Sequence, residues 1–498
     1  MTKRQTKLFD VLRFHLRRAS RSLTKCRHSS RCVGFLLLLG SGGVAIAALP
    51  TSVAQALNEA GIPETAVSLL VQPLTDARPG LEHRADVAQN PASVMKLLTT
   101  YAGLEMLGPA YVWKTDALAG GTVENGVLRG NLYIKGYGDP RLTVEQFWLL
   151  LKRIRAAGVR EIGGDVIFDA SYFAPLNYNP ADFDDKPYRA YNAGPGALLI
   201  NYNAVNINLV ADAAAKNARV WVEPAFAGLN LVNHVKLDNS ACGDWKERLS
   251  LKIDAEGLGR RVELSGNFST GCGEKNYPLS FFGHQDFARG LFLDLWREMG
   301  GKLRGQVRAG EAPPEVARLA RLESPTLSEV IHDINKWSNN VMARQLYLTL
   351  GAEATGAPAT PDKSFAAVGK WLAGKGLNFP ELTIENGTGL SRTERISARH
   401  LADLLLIAGK SPLMPEFVAS LPLTAIDGTM KKRFRDEPLA GQAHIKTGTL
   451  TGVKTLAGYV LDKNGRLFVV VFLINHEHAG LAQAAEDALM LWVYDGAQ

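Results

Sequence analysis

The spacing of apolar side chains divides the chain into helical and strand-like stretches. Residues 94–107 are apolar on nearly every side, which predicts a helix buried inside a domain. Residues 327–336 and 341–350 follow the helical period, and a short polar segment separates them. Residues 205–209 alternate apolar and amide side chains, and the region 249–264 alternates in the same way, which is typical of strands with one buried face.

The C-terminal part of the chain predicts consecutive antiparallel strands. The predicted strands are 444–449, 453–461 and 467–474, with a further strand at 65–72. Between the strands 453–461 and 467–474 lies Lys463-Asn464-Gly465, whose Asn-Gly pair is a hairpin signal. Residues 481–494 predict a closing helix. We expect an α+β domain in which an antiparallel sheet carries helices on both faces.

Three short strings carry the candidate chemistry. They are Ser93-Val94-Met95-Lys96, Ser338-Asn339-Asn340 and Lys446-Thr447-Gly448-Thr449. Together they describe a serine acyl-transfer site whose base is a lysine instead of a histidine. A match to one of these patterns alone is weak evidence. Ser22-Leu23-Thr24-Lys25 also fits the Ser-x-x-Lys pattern, and Ser265-Gly266-Asn267 also fits the Ser-x-Asn pattern. The ordered trio, placed at a helix start, a helix junction and a strand, is far more specific.

The first string supplies a nucleophile and its base. A serine hydroxyl attacks a carbonyl only if a nearby group takes its proton. Ser93 and Lys96 are three positions apart, so a helix places both on one face. Lysine acts as a base only when neutral, and burial beside a second cation, Lys446, favours the neutral amine.

The other two strings supply the remaining roles. We assign Ser338 to proton relay between Lys96 and the leaving amine, and Asn340 to a substrate amide. We expect Gly448 to let the substrate backbone lie close to the strand. The N–H groups of Ser93 and Thr449 form the predicted oxyanion hole. No Cys or His spacing indicates zinc, so we expect neither a metal nor a cofactor.

The first gap between the strings indicates an insertion. Ser93 and Ser338 are 245 positions apart, whereas Ser338 and Lys446 are 108 apart. We therefore predict a discontinuous catalytic domain. The chain then divides into a signal peptide at 1–47, the first part of the catalytic domain at 48–112, a β-rich insertion at 113–321 and the second part of the catalytic domain at 322–498.

Charge is concentrated at the N-terminus. Residues 1–32 hold ten of the 56 Lys and Arg but one acidic residue, so the remaining chain has 46 basic and 48 acidic residues. A nearly neutral mature chain indicates no nucleic-acid partner and at most peripheral association with a membrane. The basic stretch precedes an apolar run that ends in small residues at Ala45-Ile46-Ala47, the plan of a cleaved signal peptide. We expect a periplasmic protein; the alternative is a retained anchor, because the uncharged run continues to Leu57.

Cysteine usage agrees with export. Cys26 and Cys32 lie in the leader, which leaves Cys242 and Cys272 in the mature chain. In an oxidising compartment we expect these two to pair, and the alternative is two free, buried thiols.

The motifs extend well beyond the catalytic strings. They include Gly136-Tyr137-Gly138-Asp139-Pro140, Gly164-Asp165-Val166-Ile167-Phe168-Asp169, Tyr191-Asn192-Ala193, Asn201-Tyr202-Asn203-Ala204-Val205, Asn386-Gly387-Thr388-Gly389-Leu390-Ser391-Arg392 and Asp427-Gly428-Thr429. On these motifs the chain resembles class C penicillin-binding proteins of low molecular mass, the D-alanyl-D-alanine carboxypeptidase/endopeptidase family. The resemblance implies a serine β-lactamase/transpeptidase-like catalytic domain interrupted by two small β-rich domains, one nested in the other.

The resemblance also implies substrates and contacts. It implies hydrolysis of peptidoglycan stem peptides through an acyl-enzyme at Ser93, and slow covalent inhibition by β-lactam antibiotics. Lys446 and Thr447 would hold the terminal carboxylate of the leaving D-alanine. Asp169, Phe173 and Arg392 would contact a diaminopimelate-type side chain, although an Asp and an Arg of this kind could equally form a structural salt bridge. The competing interpretations are a β-lactamase or esterase on the same site and a non-catalytic wall-binding scaffold.

Overall fold

The computed structural model describes residues 48–212, 217–226, 228–257 and 259–497. The predicted signal peptide, residues 1–47, therefore lies outside the described residues. In the described part of the chain, every helix is too short or too polar to cross a membrane.

Ten α-helices are described. They are α1 (Thr51–Glu59), α2 (Met95–Leu107), α3 (Val144–Ala156), α4 (His284–Glu298), α5 (Leu327–Lys336), α6 (Asn340–Thr355), α7 (Pro361–Gly374), α8 (Ala398–Lys410), α9 (Met414–Ser420) and α10 (Gln483–Tyr494). A 3₁₀ turn, Ala92–Val94, precedes α2 and carries the candidate nucleophile. The α-helix therefore begins one residue later than its apolar pattern predicts.

The strands of the described residues fall into five sheets. They are β1 (Val67–Pro73), β2 (Leu81–His83), β3 (Ala88–Gln89), β4 (Lys114–Ala119), β5 (Val123–Glu124), β6 (Val127–Leu128), β7 (Leu132–Gly136), β8 (Glu161–Ile162), β9 (Val166–Asp169), β10 (Val205–Asp212), β11 (Asn217–Glu223), β12 (Leu229–Asp238), β13 (Leu249–Glu256), β14 (Gly259–Ser269), β15 (Lys275–Leu279), β16 (Lys302–Leu303), β17 (Val307–Ala309), β18 (Ala317–Glu323), β19 (Ile396–Ser397), β20 (Ala443–Leu450), β21 (Val453–Leu461) and β22 (Leu467–Asn475).

The catalytic sheet has the order β2-β1-β22-β21-β20, and all its pairs are antiparallel. Alternate residues of β22 enter two different cores, as the period of a strand requires. Val469, Val471 and Leu473 pack with α2, α5, α6 and α8. Phe468, Val470, Phe472 and Ile474 pack with α1 and α10 on the other face. The predicted sheet with helices on both faces is confirmed.

The inserted segment builds separate sheets. Its strands form a six-stranded sheet (β13-β14-β12-β11-β10-β15), a four-stranded sheet (β16-β8-β6-β5) and a five-stranded sheet (β17-β9-β7-β4-β18). One core of residues between Ala117 and Leu322 underlies them, whereas Trp113 packs into the catalytic core. Strand β18 pairs antiparallel with β4, so the two ends of the insertion lie side by side. The expected pairing of Cys242 with Cys272 is present.

Candidate active site

Ser93 lies in the 3₁₀ turn that leads into α2, the buried central helix. The preceding residue, Ala92, has a φ of 45°. This left-handed conformation is energetically unfavourable for an alanine. Neighbouring side chains hold this turn. Asn90 Oδ1 accepts a hydrogen bond from the Ala92 N–H, and Thr455 Oγ1 donates to the Pro91 carbonyl. The strained turn is therefore tied to both the loop before it and the sheet beside it.

Lys96 lies in the first turn of α2 and is fully buried. Its Nζ contacts three oxygen atoms. These are Ser93 Oγ at 3.0 Å, Asn340 Oδ1 at 2.5 Å and the Thr388 carbonyl at 2.6 Å. Because an amide oxygen and a carbonyl can only accept, Asn340 and Thr388 take two N–H bonds from Lys96. A neutral amine has two N–H bonds and one lone pair, so the lone pair is left for the hydroxyl of Ser93.

The surroundings of Lys96 favour that neutral amine. Burial is the main cause that lowers the pKa of Lys96 well below its usual range, and the positive charges of Lys446 and Arg344 lower it further. Glu394 acts in the opposite direction. A buried base next to a second buried cation is the arrangement that the sequence predicts.

Ser338 lies between α5 and α6, at the helix junction that the sequence predicts. Its φ is 55°, and Asn339 caps α6 by accepting from the Met342 N–H. The Ser338 hydroxyl accepts a hydrogen bond of 2.9 Å from Lys446 Nζ. Its own proton can therefore be donated elsewhere. Lys446 is thus a hydrogen-bond partner of Ser338, and the proton relay from Lys96 through Ser338 stays a prediction.

Lys446 lies on β20, the edge strand of the catalytic sheet, and is fully buried. Burial lowers the pKa of Lys446 to about 7. Its Nζ donates to Ser338 Oγ and, at 2.7 Å, to the Thr447 carbonyl. A protonated amine has three N–H bonds, so the role of Lys446 in binding a substrate carboxylate stays a prediction that these two contacts allow. The hydroxyl of Thr447, the next residue on the strand, lies 2.9 Å from the hydroxyl of Thr429.

Gly448 lies where β20 passes the nucleophile turn. A Cβ on Gly448 would lie 2.8 Å from the Ser93 nitrogen and 2.3 Å from Thr455 Oγ1. The absence of a side chain thus lets the strand approach Ser93, and the substrate approach expected at Gly448 stays a prediction. The pairing of the Ser93 and Thr449 amides as an oxyanion hole stays a prediction.

The segment 385–394 contains a contact to the base that the sequence did not indicate. Its Thr388 carbonyl binds Lys96, and Gly387 and Gly389 on either side have φ values of 71° and 78°. The signal was the glycine-rich string around Thr388, but a backbone carbonyl has no side chain to indicate its role. No group of three or more His, Cys, Asp or Glu side chains in the described ranges is arranged to hold a metal ion.

Three residues that the resemblance assigns to substrate binding lie in different surroundings. Asp169 is fully buried on β9, where it accepts from Lys135 and Ser171 and from the Ala312 N–H. These partners favour the structural alternative for Asp169, with Lys135 in place of an arginine. Phe173 is buried against the cluster that contains Ala197 and Leu348.

Arg392 is exposed and close to the catalytic strands. It donates to the Thr451 carbonyl, and its guanidinium lies 4.5 Å from the ring centre of Phe183. Within the described part of the chain, these contacts join Arg392 to neither Asp169 nor Phe173. A substrate contact for Arg392 stays a prediction, and Phe183 is a neighbour that the sequence did not indicate.

The sequence is similar to those of known proteins over most of its length. The chain matches the D-Ala-D-Ala carboxypeptidase 3 (S13) family over residues 49–494. It is 30% identical over 417 residues to a D-alanyl-D-alanine carboxypeptidase of Actinomadura sp. (strain R39), a match that covers 80% of this chain and 76% of that protein. It is 26% identical over 396 residues to D-alanyl-D-alanine carboxypeptidase DacB of Haemophilus influenzae, covering 78% and 81% of the two chains.

The fold is also shared with a solved structure. The crystal structure of penicillin binding protein 4 (dacB) from Haemophilus influenzae superimposes with a TM-score of 0.75 at 23% identity, over 89% of this chain and 99% of that chain. This likeness confirms the α+β fold with its β-rich insertion. The family match over nearly the whole described chain shows that the protein belongs to the D-Ala-D-Ala carboxypeptidase 3 (S13) family.

Proposed function

We propose that the chain hydrolyses the D-Ala-D-Ala bond of peptidoglycan stem peptides through an acyl-enzyme on Ser93, and that it acts on cross-linked peptides at the same site. The observation that carries the proposal is the Lys96 amine, buried and within 3.0 Å of Ser93 Oγ, with two acceptors holding its N–H bonds. The family match and the two relatives named D-alanyl-D-alanine carboxypeptidase support the substrate class.

Acylation begins with the Ser93 hydroxyl. Its oxygen attacks the carbonyl of the penultimate D-alanine while its proton passes to Lys96 Nζ. The carbonyl oxygen becomes an oxyanion, which the amides of Ser93 and Thr449 stabilise in this proposal. Asn340 keeps Oδ1 on Lys96, so its NH₂ group is available to a substrate amide.

Release of the terminal D-alanine requires a proton on its nitrogen. Ser338 donates its proton as the C–N bond breaks and recovers one from Lys446, which already donates to its oxygen. Lys446 and Thr447 hold the carboxylate of the departing residue. Water then attacks the ester carbonyl. Its proton passes through Ser338 to Lys446, Lys96 returns its proton to the Ser93 oxygen as the ester bond breaks, and the products are the shortened peptide and free Ser93.

β-Lactams fit the same geometry. They combine a strained amide with a carboxylate, so we propose that they acylate Ser93 and are released slowly. Penicillin binding protein 4 (dacB) from Haemophilus influenzae has also been solved in complex with a novel β-lactam, and that structure matches this chain with a TM-score of 0.71 at 22% identity. The complex is a property of the relative, and it supports the choice of a penicillin as the probe for this chain.

We further propose a periplasmic location with residues 1–47 removed as a signal peptide. The basic, then apolar, then small-residue order of that segment supports it. N-terminal sequencing of the protein from a periplasmic fraction tests it. A start near residue 48 agrees with the proposal, and retention of the basic segment contradicts it.

Labelled penicillin and purified muropeptides test the activity together. We expect one penicillin bound per chain at Ser93, no labelling of Ser93→Ala, and loss of one D-alanine from a pentapeptide. Rapid release of the label would indicate a β-lactamase instead. A protein that binds muropeptides and neither labels nor cleaves them would be a non-catalytic scaffold.

A further inference from the structure

Glu394 is a fully buried carboxylate that no role described above uses. Four backbone N–H groups of the preceding segment surround it. Its Oε1 accepts from the amides of Glu385, Asn386 and Gly387 at 2.9–3.1 Å, and its Oε2 accepts from that of Gly389 at 2.8 Å. The segment is therefore wrapped around one carboxylate, as in the backbone concavities that bind anions.

One peptide group connects Glu394 to the catalytic lysine. The Thr388 carbonyl and the Gly389 N–H belong to the same planar trans peptide, so they point in opposite directions. The N–H end donates to Glu394 Oε2, and the carbonyl end accepts from Lys96 Nζ at 2.6 Å. The carboxylate thus sets the orientation of the acceptor that binds Lys96. A negative charge at the N–H end also polarises the peptide and strengthens that acceptor.

The fit of this peptide against the nucleophile leaves little freedom. A Cβ on Gly389 would lie 1.6 Å from the Ala92 carbonyl oxygen, so the segment touches the Ser93 turn directly. The neighbouring Gly387 carbonyl accepts from Thr99 Oγ1 on α2 at 2.6 Å. Glu394 therefore orders a segment that contacts both the nucleophile turn and the base helix.

We propose that Glu394 is a positioning residue for Lys96: through the Thr388–Gly389 peptide it directs the lysine lone pair at Ser93, and its charge counteracts the neighbouring cations. The proposal rests on the acyl-enzyme function described above. It extends that function by a residue that touches neither the substrate nor the reacting atoms.

The charges that face Lys96 come from three elements. Lys446 on β20 and Arg344 on α6 lower its pKa together with burial, whereas Glu394 raises it. Burial raises the pKa of Glu394, and its four N–H partners counteract this. Because amide N–H groups only donate, they match the ionised carboxylate. Arg344 and Tyr347 on α6 also face Glu394.

Glu394→Gln tests the proposal, with Glu385→Gln as the matched control. Glu385 is an exposed carboxylate in the same segment, and it accepts from the hydroxyls of Ser391 and Thr393. Acylation of Ser93 by a chromogenic β-lactam is followed across pH. We expect the acylation rate constant of Glu394→Gln to fall at least about tenfold, because its NH₂ group must face an N–H donor. We also expect the acid limb of the pH–rate profile, where the acylation rate rises with pH, to move to lower pH in this variant. Loss of a negative charge near Lys96 lowers the pKa of that lysine further. The control should match the wild type in both.

An acylation rate constant of Glu394→Gln within twofold of the wild type overturns the proposal. A lower rate constant with an unchanged acid limb of the pH–rate profile also overturns it, because that is the result expected of a purely structural role. If Glu394→Gln does not fold, wild-type enzyme with ¹³C-labelled glutamate carboxyls decides. We then expect the ¹³C chemical shift of the Glu394 carboxyl to change over the pH range in which Lys96 titrates. A chemical shift that stays constant over that range overturns the proposal. Labelling of Ser93→Ala by penicillin would instead overturn the proposed function itself.

Discussion

Lys446 Nζ donates a hydrogen bond of 2.9 Å to Ser338 Oγ, and the two residues are 108 positions apart. The bond joins the edge strand of the catalytic sheet to the junction of two helices. In the proposed mechanism the lysine has two tasks, which are to bind the substrate carboxylate and to return a proton to Ser338. Both tasks, and the packing around them, can be measured.

Loss of Lys446 should affect substrates with a free carboxylate most. A hydrogen bond to a charged group contributes about 1.5–3 kcal/mol, so kcat/KM of Lys446→Met for a D-Ala-D-Ala peptide should fall at least about tenfold. The C-terminal amide of the same peptide should be affected less. The acid limb of the pH profile of kcat/KM should move to higher pH, because the substitution removes a cation that lowers the pKa of Lys96. Exposed Lys432→Met is the control, and equal losses for both peptides would contradict the carboxylate role.

The rate of peptide cleavage should depend on pH in a bell shape. Lys96 must be neutral, so kcat/KM rises as pH increases through its lowered pKa. Lys446 must be protonated to bind the carboxylate, so kcat/KM falls as pH rises through about 7, its pKa in the free enzyme. A bound carboxylate favours the ammonium, so the falling limb of kcat should lie at higher pH. Superimposable profiles of kcat and kcat/KM would contradict this assignment.

Ser338 can be probed with two variants that both remove the hydroxyl. Ser338→Ala and Ser338→Gly should each lose about 10²- to 10⁴-fold in kcat for the peptide, the usual contribution of a proton-transfer group. Their stabilities should differ, because residue 338 has a φ of 55°. Glycine adopts this conformation about 1–2 kcal/mol more easily than alanine. Urea unfolding measures the difference, and equal stability would show that the left-handed conformation is not retained.

Gly448→Ala should disturb the nucleophile turn. The new Cβ would meet the Ser93 nitrogen and Thr455 Oγ1 at distances below normal contact. We expect a loss of acylation of at least about tenfold, since small displacements at a reacting group are costly. Gly480→Ala is the control, because nothing in the described part of the chain lies within 4 Å of a Cβ there. An acylation rate equal to that of the control would contradict the close packing of β20 on Ser93.

Side-chain patterns predicted the helices and strands well, and they indicated three strings whose side chains the fold brings into contact. They did not indicate what the backbone contributes. The boundaries of α5 match the predicted 327–336, because an amphipathic helix with a capping box at Thr326 is specified locally. The roles of the Thr388 carbonyl and Glu394 could not be predicted, because they depend on a peptide orientation that only the folded segment defines. The hydrogen bond from Lys446 to Ser338 could not be predicted for a similar reason, since sequence order does not tell which lysine is nearer, and the relay from Lys96 stays a prediction.

The central claim is that Lys96 is a neutral amine beside Ser93 at the pH of catalysis. A ¹³C NMR titration of the lysine Cε carbons measures this directly, with the Lys96 resonance identified by its loss in Lys96→Arg. We predict that Lys96 titrates far below the exposed lysines and that acylation by penicillin appears over the same pH range. Titration of Lys96 together with the exposed lysines would contradict the claim.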